Sequence, residues 1–271
     1  MEYILGVDGG GTKTTAFSAS LDGKILAEAT YGGSSHISIG IEKAIENLNQ
    51  AVFETMEKIS DKQDIIFKSS CFGLAALNVE EDYNSYEKIV RNKRLIKHLN
   101  QDNILIVNDT RIGLEAGSSA VNKIIIIAGT GSNCFGINKD GIQAGCTGWD
   151  YILADEGSGY QVSIKALRAV MRAHDGRGEK TLITKAVLEE LGLEDEPRIV
   201  NWVYGSPFSK ERLGKFARAV CCCADKGDRI SRKILKDEAH ESILSVVTIV
   251  EKLELRGKEF DLVLVGGLFK C

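Results

Sequence analysis

The sequence contains little proline and few aromatic residues, and it has no long apolar segment. Of its 271 residues, two are proline, 7% are aromatic, 44% are hydrophobic and 27% are charged. This composition argues against disorder and low complexity and predicts a globular, soluble chain. No apolar run reaches the roughly 20 residues that a membrane helix requires, so no membrane partner is expected. At about 150 residues per domain, the chain can hold two domains.

The sequence shows no basic stripe, and we expect no secretory leader. The formal net charge is -4, with acidic and basic residues interspersed. Nucleic acid is therefore not expected as a partner. The N-terminal residues enter a strand-like run directly, without a basic segment followed by an apolar one. We expect a cytoplasmic protein.

None of the seven cysteines belongs to a Cys-x-x-Cys pair. This argues against a zinc ribbon or a thioredoxin-type site. Cys221, Cys222 and Cys223 are consecutive, but neighbouring side chains on a helix point about 100° apart and cannot converge on one ion. We therefore expect small, buried thiols in a reducing compartment.

Apolar periodicity predicts an α/β protein that starts with a meander of three strands. The turn before the third strand, Leu21-Asp22-Gly23, is a hairpin signal. The predicted elements of this first part are strands at 4–8, 15–20 and 24–31, a helix over 39–59, a strand at 65–74, a helix over 83–99 and a strand at 104–107. A meander followed by alternating strands and helices is typical of a mixed sheet covered by helices.

The same order of elements then starts again. A strand, the loop Gly129-Thr130-Gly131-Ser132, a second strand, an Asp-Gly turn and a third strand repeat the opening pattern. The predicted elements are strands at 123–128, 133–137 and after 141, helices over 155–175, 179–191, 209–225 and 228–253, and a strand at 262–265. This repetition indicates a duplicated module, with domains at 1–117 and 118–271.

A glycine-rich stretch, Gly-Val-Asp-Gly-Gly-Gly-Thr-Lys-Thr at 6–14, ends the first predicted strand. It is not a Walker loop, because Thr12 separates Gly11 from Lys13. It is not a dinucleotide fingerprint either, because Thr14 occupies the place of the third glycine. Glycine allows close approach of the backbone, and amides, hydroxyls and lysine can bind phosphate oxygens. A plain glycine turn is the alternative.

Five motifs occur in an order that resembles the sugar kinase/Hsp70/actin superfamily. They are Asp-Gly-Gly-Gly-Thr-Lys-Thr at 8–14, Asn-Asp at 108–109, Gly-Thr-Gly-Ser-Asn-Cys at 129–134, the segment 148–160 and Val-Gly-Gly-Leu-Phe at 265–269. Within the superfamily they are similar to the BadF/BadG/BcrA/BcrD ATPase family, whose best-known catalyst is N-acetylglucosamine kinase. The resemblance implies two actin-like ATPase (ribonuclease H-like) domains, with mixed five-stranded sheets around a nucleotide cleft.

The resemblance also implies ATP and Mg²⁺ as cofactors and assigns residues to them. Asp8 would hold Mg²⁺ through water. Lys215 would lie beside the adenine slot, although an ordinary solvated lysine is the simpler alternative. The other implied nucleotide-binding residues are Gly10, Gly11, Thr12, Lys13 and Thr14 in the first loop, Gly129, Thr130 and Gly131 in the second, and Gly266 and Gly267 in an adenosine turn. A tight turn is the alternative for the second loop.

Asp109 is the candidate catalytic base. Phosphoryl transfer to an alcohol needs in-line positioning, charge stabilisation and a carboxylate that takes the hydroxyl proton. Asp109 follows a predicted buried strand, and ligands bind at the carboxyl ends of strands in open α/β sheets. The alternative is an N-cap for a helix that begins near Thr110.

The resemblance places a sugar-contact segment at Gly148, Trp149, Asp150 and Asp155. The Trp149 ring offers an apolar plane for a pyranose, and Asp155 can accept hydrogen bonds from adjacent hydroxyls, with helix capping as the alternative. Asp109 would also contact the sugar. Ser35 stands where the kinase usually carries a sugar-binding asparagine, and residues 75–78 replace a more polar loop, so the identity of the sugar stays open.

Three functions follow from the motifs. The first is an ATP-dependent kinase of an amino sugar or related hexose, a small-molecule substrate. The second is an ATPase activator of an acyl-CoA reductase or dehydratase, and the third is a non-catalytic nucleotide or sugar sensor. A homodimer is left open. Members of the family continue past the Gly-Gly-x-Phe turn, so we expect the second domain to lack its C-terminal end.

Overall fold

Two units, Met1–Ala116 and Gly117–Cys271, divide the chain. The structure is a computed structural model and describes residues 2–59, 65–77, 79–205 and 209–271. The predicted loop residue Asn78 lies outside the described residues.

The first unit contains a five-stranded mixed sheet covered by helices. Its elements are β1 (Tyr3–Gly9), β2 (Lys13–Ser20), β3 (Ile25–Gly32), α1 (His36–Ile39), α2 (Ile41–Ile59), β4 (Phe67–Leu74), α3 (Glu80–Val90), a 3-10 turn (Ile96–His98), β5 (Ile104–Asn108) and α4 (Asp109–Gly117). The strand order is β3-β2-β1-β4-β5. Strands β1, β4 and β5 are parallel, and β2 and β3 complete an antiparallel meander.

The parallel pairing brings three strand ends to one edge of this sheet. Asp8 is in register with Gly73, and Leu74 is in register with Asn108. The carboxyl ends of β1, β4 and β5 therefore lie together, as ligand-binding edges do in α/β proteins. Helix α2 fixes the sheet from one face, because its apolar residues recur three and four apart and Leu48 and Val52 are fully buried.

The second unit contains a smaller mixed sheet and most of the helices. Its elements are β6 (Lys123–Ala128), β7 (Ser132–Ile137), β8 (Gln143–Cys146), α5 (Asp150–Leu153), α6 (Gly159–His174), α7 (Leu182–Leu191), α8 (Arg198–Tyr204), α9 (Lys210–Gly214), α10 (Ala217–Asp225), α11 (Arg229–Lys252), β9 (Asp261–Val265) and a 3-10 turn (Gly267–Lys270). The strand order is β8-β7-β6-β9, with β6 and β9 parallel.

The predicted α/β class with two mixed sheets is confirmed, with a correction to the second sheet. It has four strands in the described part of the unit, because β9 is an edge strand there and has no further neighbour. A meander of three strands, with the glycine loop between its first and second strands, is present in both units. The duplicated pattern in the sequence therefore corresponds to a duplicated order of strands.

Two predicted helices are wrong in their extent. The helix over 83–99 ends at Val90, and the side chain of Asn92 then accepts hydrogen bonds from the backbone N–H groups of Arg94 and Leu95. Asparagine competes with helical hydrogen bonds in this way. The helix over 209–225 is divided into α9 and α10 around Lys215. Helix α8 was not predicted.

The prediction that the cysteines are reduced thiols is wrong for one pair. Cys221 and Cys271 form a disulfide bond, with their Cα atoms 5.5 Å apart, a separation that suits this bond. Cys222 is exposed and Cys223 is buried, so the three consecutive side chains diverge as expected. The described residues include no helix that has both the length and the apolar character of a membrane span.

Candidate functional site

The first glycine loop is a tight turn that packs closely on the next loop of its own unit. The N–H of Gly10 donates to the carbonyl of Lys13 at 2.8 Å, and the N–H of Ser34 donates to the carbonyl of Gly10 at 2.9 Å. A Cβ at Gly33 would overlap the carbonyl of Gly11. Glycine is therefore required where the two loops meet, and Gly11, Thr12 and Lys13 are left exposed.

Thr14 differs from its neighbours in this loop because it is buried. Its hydroxyl has no hydrogen-bond partner among the described residues, and the same holds for Ser34 and Ser132. A buried hydroxyl without a partner is costly and calls for an explanation such as an absent ligand or water. These hydroxyls lie in or beside the two predicted phosphate loops.

Asp109 and Asp8 form a pair of carboxylates at the edge of the first sheet. Asp8 is exposed near the end of β1, and Asp109 is half-buried at the start of α4. Burial raises the pKa of Asp109 above its usual range, and the nearby negative charge of Asp8 adds to this effect, while a hydrogen bond from the N–H of Thr110 opposes it. A carboxyl whose pKa is raised by burial and a like charge is a candidate base.

Asp109 contributes to capping helix α4, the alternative role that the sequence allowed for it. The N–H of Thr110 donates to Oδ1 of Asn108 at 2.9 Å and to Oδ1 of Asp109 at 2.8 Å. Because Asn108 already supplies an acceptor at the start of the helix, capping alone does not require a carboxylate at 109. Asn108 also donates from Nδ2 to the carbonyl of Leu77 at 3.2 Å, which ties the loop after β4 to this strand end.

Ser35 lies in the same neighbourhood as Asp109, through a tyrosine that the sequence did not single out. Ser35 is buried and hydrogen-bonded to the hydroxyl of Tyr86, which donates to the carbonyl of Ala75 at 2.5 Å. Burial raises the pKa of Tyr86 to about 12, and the charge of Asp109 acts in the same direction. Tyr86 therefore connects Ser35 with the loop after β4.

The second glycine loop is fixed by the first turn of α6. The N–H of Gly159 donates to the carbonyl of Gly129 at 2.7 Å, and the N–H of Tyr160 donates to the carbonyl of Thr130 at 3.2 Å. Gly266 has a φ of 125°, and a Cβ there would overlap the carbonyl of Ala128. The turn after β9 is thus packed onto the start of the second loop.

A cavity of about 690 Å³ opens in the second unit between these elements. Its size is typical of small-molecule sites. It is lined by the predicted residues Gly129, Thr130, Lys215 and Gly267, together with Gly159, Arg218, Cys221, Cys271 and others. Four of the residues predicted from separate motifs therefore surround one cavity. Lys215 is exposed on its wall, which leaves both of its interpretations open.

The predicted sugar segment, and Thr147 directly before it, have unusual backbone conformations. Thr147, Asp150 and Asp155 have φ values of 62°, 68° and 65°, in the left-handed region that non-glycine residues rarely adopt. Such residues cluster at functional sites when the surrounding structure holds them there. Trp149 is 56% exposed, so a large part of the residue is accessible to a ligand.

Asp155 is held by a lysine and by the second glycine loop. It is only 2% exposed, its Oδ1 accepts from the N–H of Ser132 at 3.1 Å, and its Oδ2 accepts from Nζ of Lys210 at 2.5 Å. Lys210 also donates to Oδ1 of Asp150 at 2.7 Å. The N-cap of α6 is Ser158, so the capping alternative for Asp155 is not what the structure shows.

The charge of Lys210 is stabilised in this position. Burial alone would lower the pKa of Lys210, but the hydrogen bonds to Asp150 and Asp155 outweigh it, and the pKa is raised. A Cβ at Gly131 would lie 2.9 Å from Nζ of Lys210, which shows how closely the loop approaches the lysine. Sequence reasoning missed Lys210, because nothing local marks a lysine that pairs with aspartates far away along the chain.

Known proteins match this chain over almost its whole length. The model of the BadF/BadG/BcrA/BcrD ATPase family matches residues 5–271. An N-acetylmuramic acid/N-acetylglucosamine kinase from Clostridium acetobutylicum is 35% identical over 268 residues, which are 99% of this chain and 86% of that protein. An N-acetyl-D-glucosamine kinase from Dictyostelium discoideum is 31% identical over 276 residues, or 98% of this chain and 85% of that protein.

Solved structures share the fold. A proposed N-acetylglucosamine kinase from Chromobacterium violaceum has a TM-score of 0.77 at 23% identity, over 100% of this chain and 89% of the other. A ROK family glucokinase from Streptomyces griseus, solved with glucose and AMPPNP, has a TM-score of 0.52 at 15% identity, over 97% and 94%. This likeness confirms the predicted class of two actin-like domains.

Proposed function

This chain belongs to the BadF/BadG/BcrA/BcrD ATPase family, and from that premise we propose that it is an ATP-dependent kinase that phosphorylates an amino sugar. The observation that carries the proposal is the position of Asp109. It is a half-buried carboxylate of raised pKa, beside Asp8 and at the same sheet edge as a tight glycine loop. A base at a strand end beside a phosphate-binding loop is what phosphoryl transfer to an alcohol requires.

The nucleotide residues support the use of ATP. In the second unit, Gly129, Thr130, Lys215 and Gly267 line the cavity of about 690 Å³. In the first loop, Gly11, Thr12 and Lys13 are exposed residues, and backbone amides of such loops suit phosphate oxygens. The predicted roles of Gly10, Gly11, Thr12, Lys13, Thr14, Gly131 and Gly266 stay proposals. Gly131 and Gly266 act by letting the backbone approach closely, since a Cβ at either position would crowd its neighbours.

Asp8 is the residue that would hold Mg²⁺. Its carboxylate is exposed, and oxygen ligands of this kind are those that Mg²⁺ prefers, with water completing the coordination. The bound metal would supply positive charge that offsets the phosphate oxygens. The role of Asp8 toward Mg²⁺ stays a prediction, as do the two domain boundaries, the cytoplasmic location and a homodimer.

Each acceptor-side residue has a separate proposed task. Asp109 accepts the proton of the sugar hydroxyl, and Trp149 offers its exposed ring to the apolar face of the pyranose. Asp155 is oriented by Ser132 and Lys210, and Gly148 and Asp150 shape the turn around Trp149. Ser35, in contact with Tyr86, borders the acceptor side in the first unit.

An amino sugar is the favoured acceptor because two relatives above 30% identity are named as kinases of N-acetylglucosamine. A third relative, the glucosamine kinase GspK of Vibrio cholerae, is 28% identical over 258 residues. Neither the activator of an acyl-CoA reductase or dehydratase nor the non-catalytic sensor is favoured by these relatives. Ser35 and residues 75–77 differ from what the N-acetylglucosamine kinase usually carries at these positions. More than one amino sugar is therefore a candidate acceptor.

A panel of acceptors tests this function. Purified protein is incubated with ATP, Mg²⁺ and one sugar at a time: N-acetylglucosamine, N-acetylmuramic acid, glucosamine or glucose, and ADP formation is followed. We expect an amino sugar to give the highest kcat/KM, with little ADP formed when sugar is omitted. The same ADP rate with and without every sugar would contradict a kinase.

A further inference from the structure

Two cysteines of the second unit face each other across neighbouring strands. Cys134 on β7 is the register partner of Cys146 on β8, and their thiols are hydrogen-bonded to each other. Directly opposed residues of an antiparallel pair have Cα atoms about 4.5–5.5 Å apart. A disulfide needs Cα atoms about 4.4–6.8 Å apart. The backbone therefore already holds this pair at a distance that a disulfide can span.

The two thiols have different surroundings. Cys134 is fully buried in the core formed with Ile124, Ile126 and Ile249. Cys146 is partly exposed beneath α11, and its thiol donates to the carbonyl of Ser245 at 3.4 Å. Cys146 is thus the more accessible residue of the pair, while Cys134 is enclosed in the core.

The pKa values of the two thiols are shifted in opposite directions. The hydrogen bond from Cys134 lowers the pKa of Cys146, and the charge of Lys252 acts in the same direction against the effect of burial. The same hydrogen bond and burial raise the pKa of Cys134. Thiols that react with oxidants are those with thiolate character and some exposure, often beside a second cysteine that resolves the first product.

We propose that Cys134 and Cys146 form a dithiol site that hydrogen peroxide oxidises to a disulfide, with Cys146 as the attacking thiol and Cys134 as the resolving thiol. The Cys146 thiolate attacks one peroxide oxygen, the O–O bond breaks, and the products are a sulfenic acid and hydroxide. The Cys134 sulfur then attacks the Cys146 sulfur, the S–O bond breaks, and hydroxide leaves with the Cys134 proton as water. Two thiols are oxidised and one peroxide is reduced to two waters.

The position of the disulfide would matter for the sugar segment. Strand β8 ends at Cys146, and the left-handed residues Thr147 and Gly148 follow directly before Trp149. Strand β7 starts at Ser132, whose N–H holds Asp155. If the function proposed above holds, the cross-link fixes the start of this segment and lowers sugar phosphorylation reversibly. The disulfide itself is detected without any substrate.

Peptide mapping tests the site in the intact native protein. Trypsin separates the two cysteines, because Cys134 lies in the peptide 124–139 and Cys146 in the peptide 140–165. The protein is treated with hydrogen peroxide, free thiols are alkylated, and the digest is analysed by mass spectrometry with and without a thiol reductant. We expect the two peptides to appear cross-linked after peroxide and to separate when the reductant is added.

Variants assign the roles of the two thiols. Cys134→Ser should stop the cross-link and leave Cys146 as a sulfenic or more oxidised acid, whereas Cys146→Ser should leave Cys134 unmodified. Cys222→Ser is the matched control, since Cys222 is exposed and lies elsewhere in the unit, and it should leave the cross-link unchanged. In the wild type, Cys146 should not remain fully alkylatable after a peroxide dose that oxidises Cys222. If it does, the proposal is overturned, whatever the variants show. Loss of sugar phosphorylation without the cross-link would equally contradict this cause of inhibition.

Discussion

The ammonium of Lys210 lies 2.5 Å from Oδ2 of Asp155, while Oδ1 of the same carboxylate accepts the backbone N–H of Ser132 at 3.1 Å. One buried carboxylate thus joins the second glycine loop to the helix that begins at Lys210. Asp155 is also one of the residues with a left-handed backbone in the sugar segment. The conformation of the sugar segment should therefore depend on Lys210, which lies outside the segment.

Replacing Lys210 by methionine should destabilise the protein and weaken sugar binding. Removing one member of a buried ion pair leaves a charge without its partner, and we expect the free energy of unfolding to fall by about 2 kcal/mol. The sugar KM should rise more than the ATP KM. Thermal unfolding and steady-state kinetics measure both effects.

Lys215→Met is the matched control for that variant, because Lys215 is exposed and lines the cavity of the second unit. It should leave the free energy of unfolding unchanged. A Lys210→Met protein as stable as wild type, with the same sugar KM, would show that the ion pair has no organising role.

Asp109→Asn should remove most turnover and preserve nucleotide binding. The amide has nearly the shape of the carboxylate but lacks its basicity, and loss of a general base typically costs roughly 10²–10⁴-fold in rate. We expect kcat to fall in this range, with ATP affinity by calorimetry close to wild type. A variant with near wild-type kcat on the best sugar would remove Asp109 from the role of base.

Asp8→Asn should lower the pKa of Asp109 in the protein without metal or nucleotide. Burial first, and then the negative charge of Asp8, raise that pKa, so removing the charge of Asp8 takes away part of the increase. Mg²⁺ and ATP are omitted, because the charge of a metal held by Asp8 would offset that of its carboxylate. The readout is a pH titration of the Asp109 carboxyl by NMR in wild type and variant, and a pKa that is unchanged or higher in the variant would contradict the pairing.

Two adjacent glycines after β9 should respond differently to alanine. Gly266 has a φ of 125° and no room for a Cβ, whereas nothing lies within 4 Å of a Cβ at Gly267. Gly266→Ala should lower the free energy of unfolding by about 1–3 kcal/mol, and Gly267→Ala should leave it nearly unchanged. Chemical denaturation of both variants tests this, and equal losses would mean that the turn after β9 is not closely packed on the second loop.

Local patterns allowed much of this structure to be predicted from the sequence. The strands and the two glycine loops are marked by alternating apolar residues, glycines and Asp-Gly turns within short segments. The extent of helices was less predictable, as the turn at Asn92 shows, because one side chain can divert the backbone from helical hydrogen bonds.

Long-range partners could not be predicted. Lys210 and Asp155 are 55 residues apart, and the disulfide joins Cys221 to Cys271 across 50 residues. Tyr86, on α3, contacts Ser35, and α3 packs beside α2 and β5. Such pairs are created by folding, and no short stretch of sequence contains both members.

The proposed kinase activity is tested most directly by identifying the product made from ATP and N-acetylglucosamine in the presence of Mg²⁺. Mass spectrometry of the reaction should show a sugar phosphate formed in equal amount to ADP, and the Asp109→Asn protein should form neither at a comparable rate. Glucosamine and N-acetylmuramic acid are analysed in parallel, so that a preference for another amino sugar is recognised as such. ADP formed by the wild-type protein without phosphate transfer to any of these sugars would contradict the proposed kinase.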